Sequence, residues 1–592
     1  MLKVINTKTR DRVQLTGLWD FCLDPDDVGE KEAWFAHFLP EAVKMAVPSS
    51  FNDIFTQNSI HDYVGVFWYQ RRVKIPYGWA GGRIVLRFES VTHRAAVWVN
   101  NALCVRHEGG YLPFEADVTD FAAEGGFLRI TVRGENLLSF ESIPPGMVKD
   151  SGHGKKQLYW HDFFNYAGIH RSVWLYRTPD TWLEDADVVT DCDKKVGIVH
   201  YRTVWQRKRE RDEVKAYLLD STGKCVASCD GGEGELRIEN ARFWEPGDGY
   251  LYTCIWELSR DGSLVDSYGL RVGIRTILIE GNKFLINGKP FFFKGFGMHE
   301  DSIVLGKAHN DSYMLCDFAR MKWVGANSFR TSHYPYAEEV LDYADEQGFV
   351  VIDETAAVGL NLLGAQIFPG EEMSTFSENT INDKTRTVHE KQLRELIQRD
   401  KNHPCVAVWS LANEPESQTE GASRYFEPLF WAARQADPSR RPVGFVNMML
   451  GTPGTCQVAR FADLIMLNRY YGWYVDTADL DVAGERLKKE LEEWQEQGKP
   501  ILLTEYGADA VEGLHQLYGG PWSEEFQVKL LERYHQVLRT MEGVVGEQVW
   551  NFADFATAPG IMRVGGNRKG VFTRQREPKA AAYMLREYWK NR

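Results

Sequence analysis

The feature that most constrains the fold of this chain is a change of hydrophobic period near residue 276. Beyond this point, short apolar segments alternate with segments of helical period, such as residues 311–325 and 338–348. The apolar segments number eight and lie at 291–301, 326–335, 349–358, 406–415, 442–448, 463–474, 501–508 and 546–555. Because parallel strands must be joined by long crossovers, usually helices, this pattern predicts a closed (β/α)8 barrel, the TIM barrel.

The residues before the change of period alternate apolar and polar side chains, which is the pattern of half-buried β-strands. The clearest such segments of the first part lie at 83–90, 95–101 and 127–136. Short strands of this kind, separated by Gly, Asn or Asp, are typical of a β-sandwich. The second part has hairpin turns at 221–223 and 260–262, which fits an immunoglobulin-like sandwich. We therefore predict three domains, at 1–180, 181–275 and 276–592.

Charge and motif content narrow the function classes. The net charge of −14 argues against a nucleic-acid partner, because phosphate binding needs a basic face. Nine cysteines without CxxC spacing indicate free thiols in a reducing compartment. No apolar run is long enough for a membrane span, and the N-terminus lacks the apolar region of a secretory signal, so we expect a cytoplasmic protein. No HExxH or phosphate-loop motif is present, so we predict no metal and no cofactor.

Two acidic residues occupy the positions where a barrel carries out its chemistry. Glu414 follows the fourth predicted strand and Glu505 ends the seventh, and both should lie at the C-terminal end of the barrel. Two carboxyl groups across one pocket are what glycoside hydrolysis requires, and Asn413 is suited to bind a sugar hydroxyl. Other acidic or imidazole groups at strand ends fit structural ion pairs as well: Asp353, Glu354, Asp554 and residues 299–301.

Three motifs in the barrel resemble signatures of a known family. They are NSFRTSHYPY at 327–336, VWSLANEPES at 408–417 and LLTEYGAD at 502–509. With these motifs the whole chain resembles the β-glucuronidases of glycoside hydrolase family two, of the gut-bacterial type. The resemblance implies a jelly-roll sugar-binding-like domain, an immunoglobulin-like sandwich and a catalytic TIM barrel.

The resemblance also implies roles for the two acidic residues. Glu414 would be the general acid and base and Glu505 the nucleophile of a double displacement that retains the anomeric configuration. We therefore predict that their carboxyl groups lie about 5 to 5.5 Å apart.

Recognition of a uronic acid is implied by the segment MRVGGNRKGVFTR at 562–574. A sugar carboxylate needs a cation and an amide donor, and Asn567 with Lys569 resembles the Asn-x-Lys motif that separates β-glucuronidases from their relatives. By its chemistry alone, the same segment also fits a solvated basic turn. Further substrate-contacting residues implied by the resemblance are Asp162, Asn468, Tyr470, Tyr474, Trp550 and Arg563. Arg330 and His333 would hold the carboxylates in place.

The sequence analysis therefore favours a retaining exo-β-glucuronidase that acts on small-molecule or oligosaccharide β-glucuronides. A β-galacturonidase, a dual uronidase and a sugar-binding protein without turnover remain open alternatives. The resemblance implies a homo-oligomer, either a tetramer or a dimer. The long irregular segment 359–383 should overhang the pocket, and either a substrate lid or a disordered or oligomer-contact loop fits it.

Overall fold

The first sandwich packs a four-stranded sheet against a six-stranded one. The computed structural model describes residues 1–123, 125–152, 154–362 and 374–591. The first elements are β1 (Asp11–Gln14), β2 (Gly17–Asp24), β3 (Val43–Val47), β4 (Ser49–Ser50), α1 (Asn58–His61), β5 (Val66–Lys74), β6 (Arg83–Phe88), β7 (Arg94–Val99), β8 (Ala102–Glu108), β9 (Phe114–Asp117), β10 (Phe127–Glu135), β11 (Gly146–Asp150), β12 (Lys155–Tyr159), β13 (Gly168–Ile169) and β14 (Val173–Thr178). The sheets have the strand orders β1-β14-β6-β9 and β3-β2-β5-β10-β7-β8, and one apolar core fills the space between them. This antiparallel sandwich confirms the predicted fold class.

A second, smaller sandwich follows in the chain. Its strands are β15 (Trp182–Asp193), β16 (Val196–Gln206), β17 (Asp212–Leu219), β18 (Cys225–Asp230), β19 (Glu233–Ile238), β20 (Tyr252–Arg260) and β21 (Ser263–Val272). They form sheets of the orders β15-β16-β19 and β18-β17-β20-β21. Alternate residues of β20 are buried, with Trp256 and Leu258 fully in the core, as the alternating pattern predicts.

The C-terminal part is a closed barrel of eight parallel strands, which confirms the predicted TIM barrel. A small sheet of β22 (Ile277–Glu280), β23 (Lys283–Ile286) and β24 (Lys289–Pro290) precedes it. The barrel strands are β25 (Phe293–Gly297), β26 (Ser328–Arg330), β27 (Val350–Glu354), β28 (Val406–Asn413), β29 (Val443–Asn447), β30 (Ile465–Asn468), β31 (Ile501–Glu505) and β32 (Val544–Val549). The helices outside them are α2 (Asp311–Val324), α3 (Glu338–Gln347), α4 (Asp383–Asp400), α5 (Glu420–Ala436), α6 (Leu480–Gln495), α7 (Glu524–Leu538) and α8 (Ala580–Lys590).

The expected alternation of strand and helix fails at one place. Between β29 and β30 the chain forms only a short 3-10 helix, Ala459–Phe461, where the barrel pattern predicts an α-helix. The intervening sequence contains Gly451, Pro453 and Gly454, which disfavour an α-helix through backbone entropy and a missing amide hydrogen. The chain therefore passes from β29 to β30 as an irregular crossover.

The first sandwich closes one side of the barrel mouth. Its segment 160–171 crosses to the barrel, where the Phe164 amide donates to the Ala556 carbonyl at 2.9 Å. Arg171 pairs with Glu300 of the barrel at 3.0 Å, with both side chains almost fully buried. These contacts fix residues of the sandwich above the C-terminal ends of the barrel strands.

Two further expectations concern membrane-spanning helices and the segment 359–383. None of the helices in the described part of the chain combines the length and apolar character that crossing a bilayer requires. Of the segment 359–383, residues 363–373 lie outside the described residues, so its lid and contact interpretations stay open.

Candidate active site

A cavity of about 260 Å³ opens at the C-terminal end of the barrel, beneath the first sandwich. The sequence-predicted residues that line it are Asp162, His333, Asn413, Glu414, Tyr470, Tyr474, Glu505, Trp550, Arg563 and Asn567. Three others, Arg330, Asn468 and Lys569, do not line it but hydrogen-bond to side chains that do. The barrel thus gathers into one place residues that are up to about 400 positions apart in the chain.

Glu414 is held at the cavity by the groups around the end of β28. Its backbone lies in the left-handed region with φ of 49°, and its amide donates to the Val446 carbonyl at 2.8 Å. Asn468 donates from Nδ2 to Glu414 Oε1 at 3.0 Å, and Thr504 fixes the Asn468 amide by donating to its Oδ1 at 2.9 Å. Burial, together with the nearby charge of Glu505, raises the pKa of Glu414 to about 7. This carboxyl group is suited to give and take a proton near neutral pH.

Glu505 differs from Glu414 in the groups that contact its carboxylate. Arg330 donates to Glu505 Oε1, and the Tyr470 hydroxyl donates to Oε2 at 2.6 Å. Burial raises the pKa of Glu505, and the charge of Arg330 and the hydrogen bond from Tyr470 oppose that rise. The two carboxyl groups on one cavity therefore differ in their partners: within the described part of the chain, Glu505 has a cation in direct contact and Glu414 has none.

Arg330 ties this carboxylate to a second one outside the cavity. Its Nη1 donates to both oxygens of Glu354, at 2.8 and 2.9 Å, and Ser410 donates to the same carboxylate at 2.7 Å. Arg330 and Glu354 are fully buried. The Glu354 carboxylate, which accepts from Arg330 on both oxygens, holds the guanidinium in one orientation, and so Glu354 acts on Glu505 through Arg330.

An aromatic floor is formed by Trp550 and His333. The two rings stack with centroids 4.9 Å apart at 21°, and His333 Nδ1 lies 3.0 Å from Glu354 Oε1. Burial lowers the pKa of His333 well below its ordinary value, so its ring is neutral. Gly297 makes room for this floor, because a Cβ at that position would lie 2.5 Å from the Trp550 ring.

A charged cluster lies at another wall of the cavity, where the first sandwich meets the barrel. Arg563 donates from Nε to Asp162 Oδ1 and Asn567 donates from Nδ2 to Asp162 Oδ2, both at 2.7 Å. Behind them, Lys569 donates to the Tyr474 hydroxyl at 2.8 Å and to Asp509 Oδ2 at 2.5 Å. This Lys569–Asp509 pair is almost completely buried.

The environment of Lys569 keeps it positively charged. Burial alone would lower the pKa of this lysine, but Tyr474 and Asp509 outweigh burial and raise it. The segment 562–574 is therefore not a solvated turn at this position, since Lys569 and Asn567 are each only 1% exposed.

Several residues at the site were not predicted from the sequence. Trp160, His161, Val358, Asn361, Met448 and Met449 also line the cavity. Met448 and Met449 directly follow β29, so the strand-end rule that indicated Glu414 would have found them. Asp509 lies in the quoted motif LLTEYGAD, but nothing in its spacing showed that it pairs with Lys569. Of the other acidic candidates, Asp554 pairs with Lys579 at 2.8 Å, Glu300 with Arg171 and Glu354 with Arg330. Asp353 accepts a hydrogen bond from Thr331 at 3.0 Å.

One cluster of possible metal ligands exists among the described residues, far from this cavity. Asp345, His403 and Cys405 meet at the opposite end of the barrel. His403 Nδ1 lies 2.6 Å from Asp345 Oδ2, and although burial lowers the pKa of His403, Asp345 outweighs it and raises it to about 9. A protonated imidazole is an ion-pair partner and not a metal ligand.

A TIM barrel with two buried carboxyl groups and an aromatic floor on one small cavity at its C-terminal end defines a glycoside hydrolase. Comparison with known proteins agrees and goes further. Three family models match consecutive parts of the chain: the sugar binding domain of glycosyl hydrolases family 2 at 13–179, a family 2 domain at 182–275, and the family 2 TIM barrel domain at 277–592. The chain belongs to glycoside hydrolase family 2.

The following three proteins, to which the chain is similar, are all named β-glucuronidase. A β-glucuronidase of Paenibacillus borealis is 45% identical, with 100% of this chain and 98% of the relative covered. A β-glucuronidase of Sus scrofa is 41% identical, covering 100% and 92%. The crystal structure of Ruminococcus gnavus β-glucuronidase superposes with a TM-score of 0.96 at 40% identity, over 100% of this chain and 99% of the other.

Proposed function

We propose that this protein is a retaining exo-β-glucuronidase, which hydrolyses β-D-glucuronides to glucuronic acid and an aglycone. The observation that carries the proposal is the cluster of Arg563, Asn567 and Lys569 at the same cavity as Glu414 and Glu505. The β-glucuronidases to which the chain is similar support it, and one of the similar Ruminococcus gnavus structures is a complex with D-glucuronic acid.

The first chemical step forms a glycosyl–enzyme bond. Glu505, whose anion accepts hydrogen bonds from Arg330 and Tyr470, attacks the anomeric carbon. Glu414 donates its proton to the glycosidic oxygen, and the aglycone leaves as the neutral alcohol. The ester between Glu505 and the sugar holds the configuration opposite to that of the substrate.

The second step releases the sugar. Glu414, now ionised, accepts a proton from a water molecule that attacks the anomeric carbon and displaces Glu505. The two inversions together retain the β configuration. Asn413, fixed by the Asn468 amide at 3.2 Å, is placed to bind the sugar hydroxyl next to the anomeric carbon. The carboxyl separation of about 5 to 5.5 Å remains the prediction that goes with this mechanism.

Selection of the uronic acid rests on the charged cluster. Lys569 supplies a full charge in a buried place, and Asn567 and Arg563 supply N–H donors. A C6 carboxylate would form charge-assisted hydrogen bonds with these groups, which are roughly twice as strong as neutral ones. A neutral hydroxymethyl group would form no charge-assisted hydrogen bonds with this cluster, and this disfavours glucosides and galactosides relative to glucuronides.

Hydrolysis of chromogenic β-glucuronide, β-galacturonide and β-galactoside by the wild type and Lys569→Ala tests the proposal. We expect the wild type to prefer the glucuronide, and the variant to lose roughly 100- to 1000-fold in kcat/KM on it, since truncating one member of a buried charge pair costs about 2–5 kcal/mol. Lys529→Ala, at an exposed lysine of α7, is the control and should match the wild type. A preference for the galactoside that Lys569→Ala leaves unchanged would refute the proposal. A preference for the galacturonide would support the alternative uronidase.

Asp509 gives a second prediction for the same cluster. Asp509→Asn should lower the free energy of unfolding by up to about 3–5 kcal/mol, because Lys569 would remain buried without its counter-ion. It should also raise KM for the glucuronide, since the Lys569 ammonium would no longer be oriented. The double variant Asp509→Asn with Lys569→Met should regain stability but not glucuronide hydrolysis. Thermal unfolding and kinetics of the three proteins check this, and a double variant less stable than Asp509→Asn would contradict it.

The remaining organisation of the protein is proposed on the same basis. We take the domains as 1–180, 181–275 and 276–592, a division supported by the separate apolar cores of the two sandwiches. All nine cysteines are unpaired, which supports the cytoplasm as its location. A homo-oligomer, either a tetramer or a dimer, completes the proposal.

A further inference from the structure

Lys579 is a buried lysine to which the mechanism above gives no role. It is the N-cap residue of α8, is only 1% exposed and does not line the cavity. A cation is unfavourable at this place, because the N-terminus of a helix carries a partial positive charge. Burial is a second cost and lowers the pKa of Lys579, although Asp554 opposes this. The stability of α8 therefore does not account for a lysine here.

The side chain of Lys579 reaches the loop that follows β32. Its Nζ donates to the Arg568 carbonyl at 2.9 Å, to the Ala510 carbonyl at 2.7 Å and to Asp554 Oδ1 at 2.8 Å. Three acceptors require the ammonium form, which has three N–H donors. The Ala510 amide also donates to the Arg568 carbonyl, at 3.0 Å. This carbonyl is therefore held both by a buried cation and by the loop after β31.

Arg568 stands between Asn567 and Lys569, the two residues that the proposed function assigns to the sugar carboxylate together with Arg563. The Arg568 amide belongs to the peptide that joins it to Asn567, and it donates to Asp509 Oδ1 at 2.8 Å. The Arg568 carbonyl belongs to the peptide that joins it to Lys569. Both peptides are thus held by buried charged groups, and these contacts set the directions in which the two side chains leave the backbone.

Asp554 connects the beginning of α8 to the same loop. It is 3% exposed, and while its Oδ1 accepts from Lys579, its Oδ2 accepts from Arg568 Nη1 at 3.3 Å. Burial raises the pKa of Asp554 to about 6, and both cations oppose that rise. At neutral pH the carboxylate is therefore ionised and accepts from both.

We propose that Lys579 and Asp554 are positioning residues, which fix the loop that binds the sugar carboxylate. They act through the peptides of Arg568 and touch no part of the sugar. This role rests on the proposed function and deepens it, because the selection of a uronic acid then depends on a buried pair at the beginning of the last helix of the barrel.

Kinetics of Lys579→Met on a chromogenic β-glucuronide test the proposal. We expect KM to rise roughly 10- to 100-fold, because misplacing a binding group by about 1 Å can cost about 100-fold. The value of kcat should stay within about 3-fold of the wild type, since Glu414 and Glu505 are attached to β28 and β31 and lost uniform binding changes KM alone. An unchanged KM would overturn the proposal, whether or not kcat falls.

Two further variants grade the effect. In Asp554→Asn, Lys579 keeps the two carbonyls and loses only its counter-ion, so KM should rise about 3- to 10-fold with kcat unchanged. Lys579→Arg keeps the charge and N–H donors, and should recover part of the loss in KM. If Lys579→Met does not fold, Asp554→Asn decides the question, and an unchanged KM in that variant would overturn the proposal.

Lys401→Met is the matched control for a loss of stability. Lys401 is another buried lysine, 2% exposed, which pairs with Asp187 of the second sandwich at 2.7 Å and does not line the cavity. Its substitution should lower Tm but leave KM within about 2-fold. A similar rise in KM in Lys401→Met and Lys579→Met would mean that lost stability is the cause, and this would overturn the positioning role.

The wild type separates this role from the proposed function. If the wild type does not hydrolyse the glucuronide, the proposed function is refuted and the positioning role falls with it. If the wild type hydrolyses it and Lys579→Met has the same KM, only the positioning role is refuted.

Discussion

Glu505→Gln is expected to lower kcat for β-glucuronide hydrolysis by roughly 10⁴-fold or more, because an amide cannot displace the aglycone from the anomeric carbon. The substitution is nearly isosteric, and the side-chain oxygen of the introduced glutamine can still accept the hydrogen bond from Tyr470. Glucuronic acid should therefore still bind, which can be measured by calorimetry. Retained binding without turnover is what distinguishes an enzyme that has lost its nucleophile from a protein that only binds sugars.

The matched control for this variant is Asp317→Asn. Asp317 is another buried carboxylate. It lies on α2, pairs with Arg576 at 2.8 Å and does not line the cavity. Its substitution should lower Tm but leave kcat within about 3-fold. A second check uses Glu505→Ala with azide, which should occupy the vacated space and yield the α-glucuronosyl azide by a single inversion. Glu505→Gln with more than a few per cent of wild-type kcat would contradict the assignment of the nucleophile.

Glu414→Gln should show a loss that depends on the leaving group. For an alkyl or sugar aglycone we expect kcat/KM to fall roughly 10³-fold, the upper part of the range for general acid catalysis. For a nitrophenyl aglycone the loss should be much smaller, because a weakly basic leaving oxygen needs little protonation. A loss of equal size for both aglycones would contradict the role of Glu414 as the acid.

The dependence of activity on pH also tests the role of Glu414 as the acid. Glu414 must be protonated in the first step, and its pKa of about 7 means that activity falls as pH rises through this value. Glu505 must be ionised, so activity also falls as pH drops through its pKa. In Glu414→Gln the alkaline limb should disappear while the acid limb remains. Because the charge of Glu505 helps to raise the pKa of Glu414, the two apparent values belong to the pair.

The barrel could be predicted from the sequence because each of its strands is marked by a short apolar segment. Seven of the eight apolar segments contain the strand that the structure shows, and the eighth, 546–555, overlaps β32, since strands covered on both faces read as apolar runs. The same reasoning fails after β29, where the barrel rule demands a helix and the local residues Gly451 and Pro453 prevent one.

Some features of the site can likewise be predicted from the local sequence, and others depend on tertiary packing. Glu414 and Glu505 follow from the strand-end rule, because parallel strands of one barrel end on the same side. The pairing of Lys569 with Asp509, 60 positions apart, depends on how the loop after β31 meets the loop after β32. No period or motif encodes such contacts, since they are set by the packing of distant segments.

The bridge from Asp162 to Arg563 and Asn567 means that this enzyme draws its site from two parts of the chain that can vary separately. The sandwich carries Asp162, and the barrel carries the two acidic residues and the loop that Asp162 holds. Under the proposed function, substitutions in the sandwich would therefore alter which sugars bind while Glu414 and Glu505 stay unchanged. Such a division lets natural variation explore new substrates without first giving up turnover.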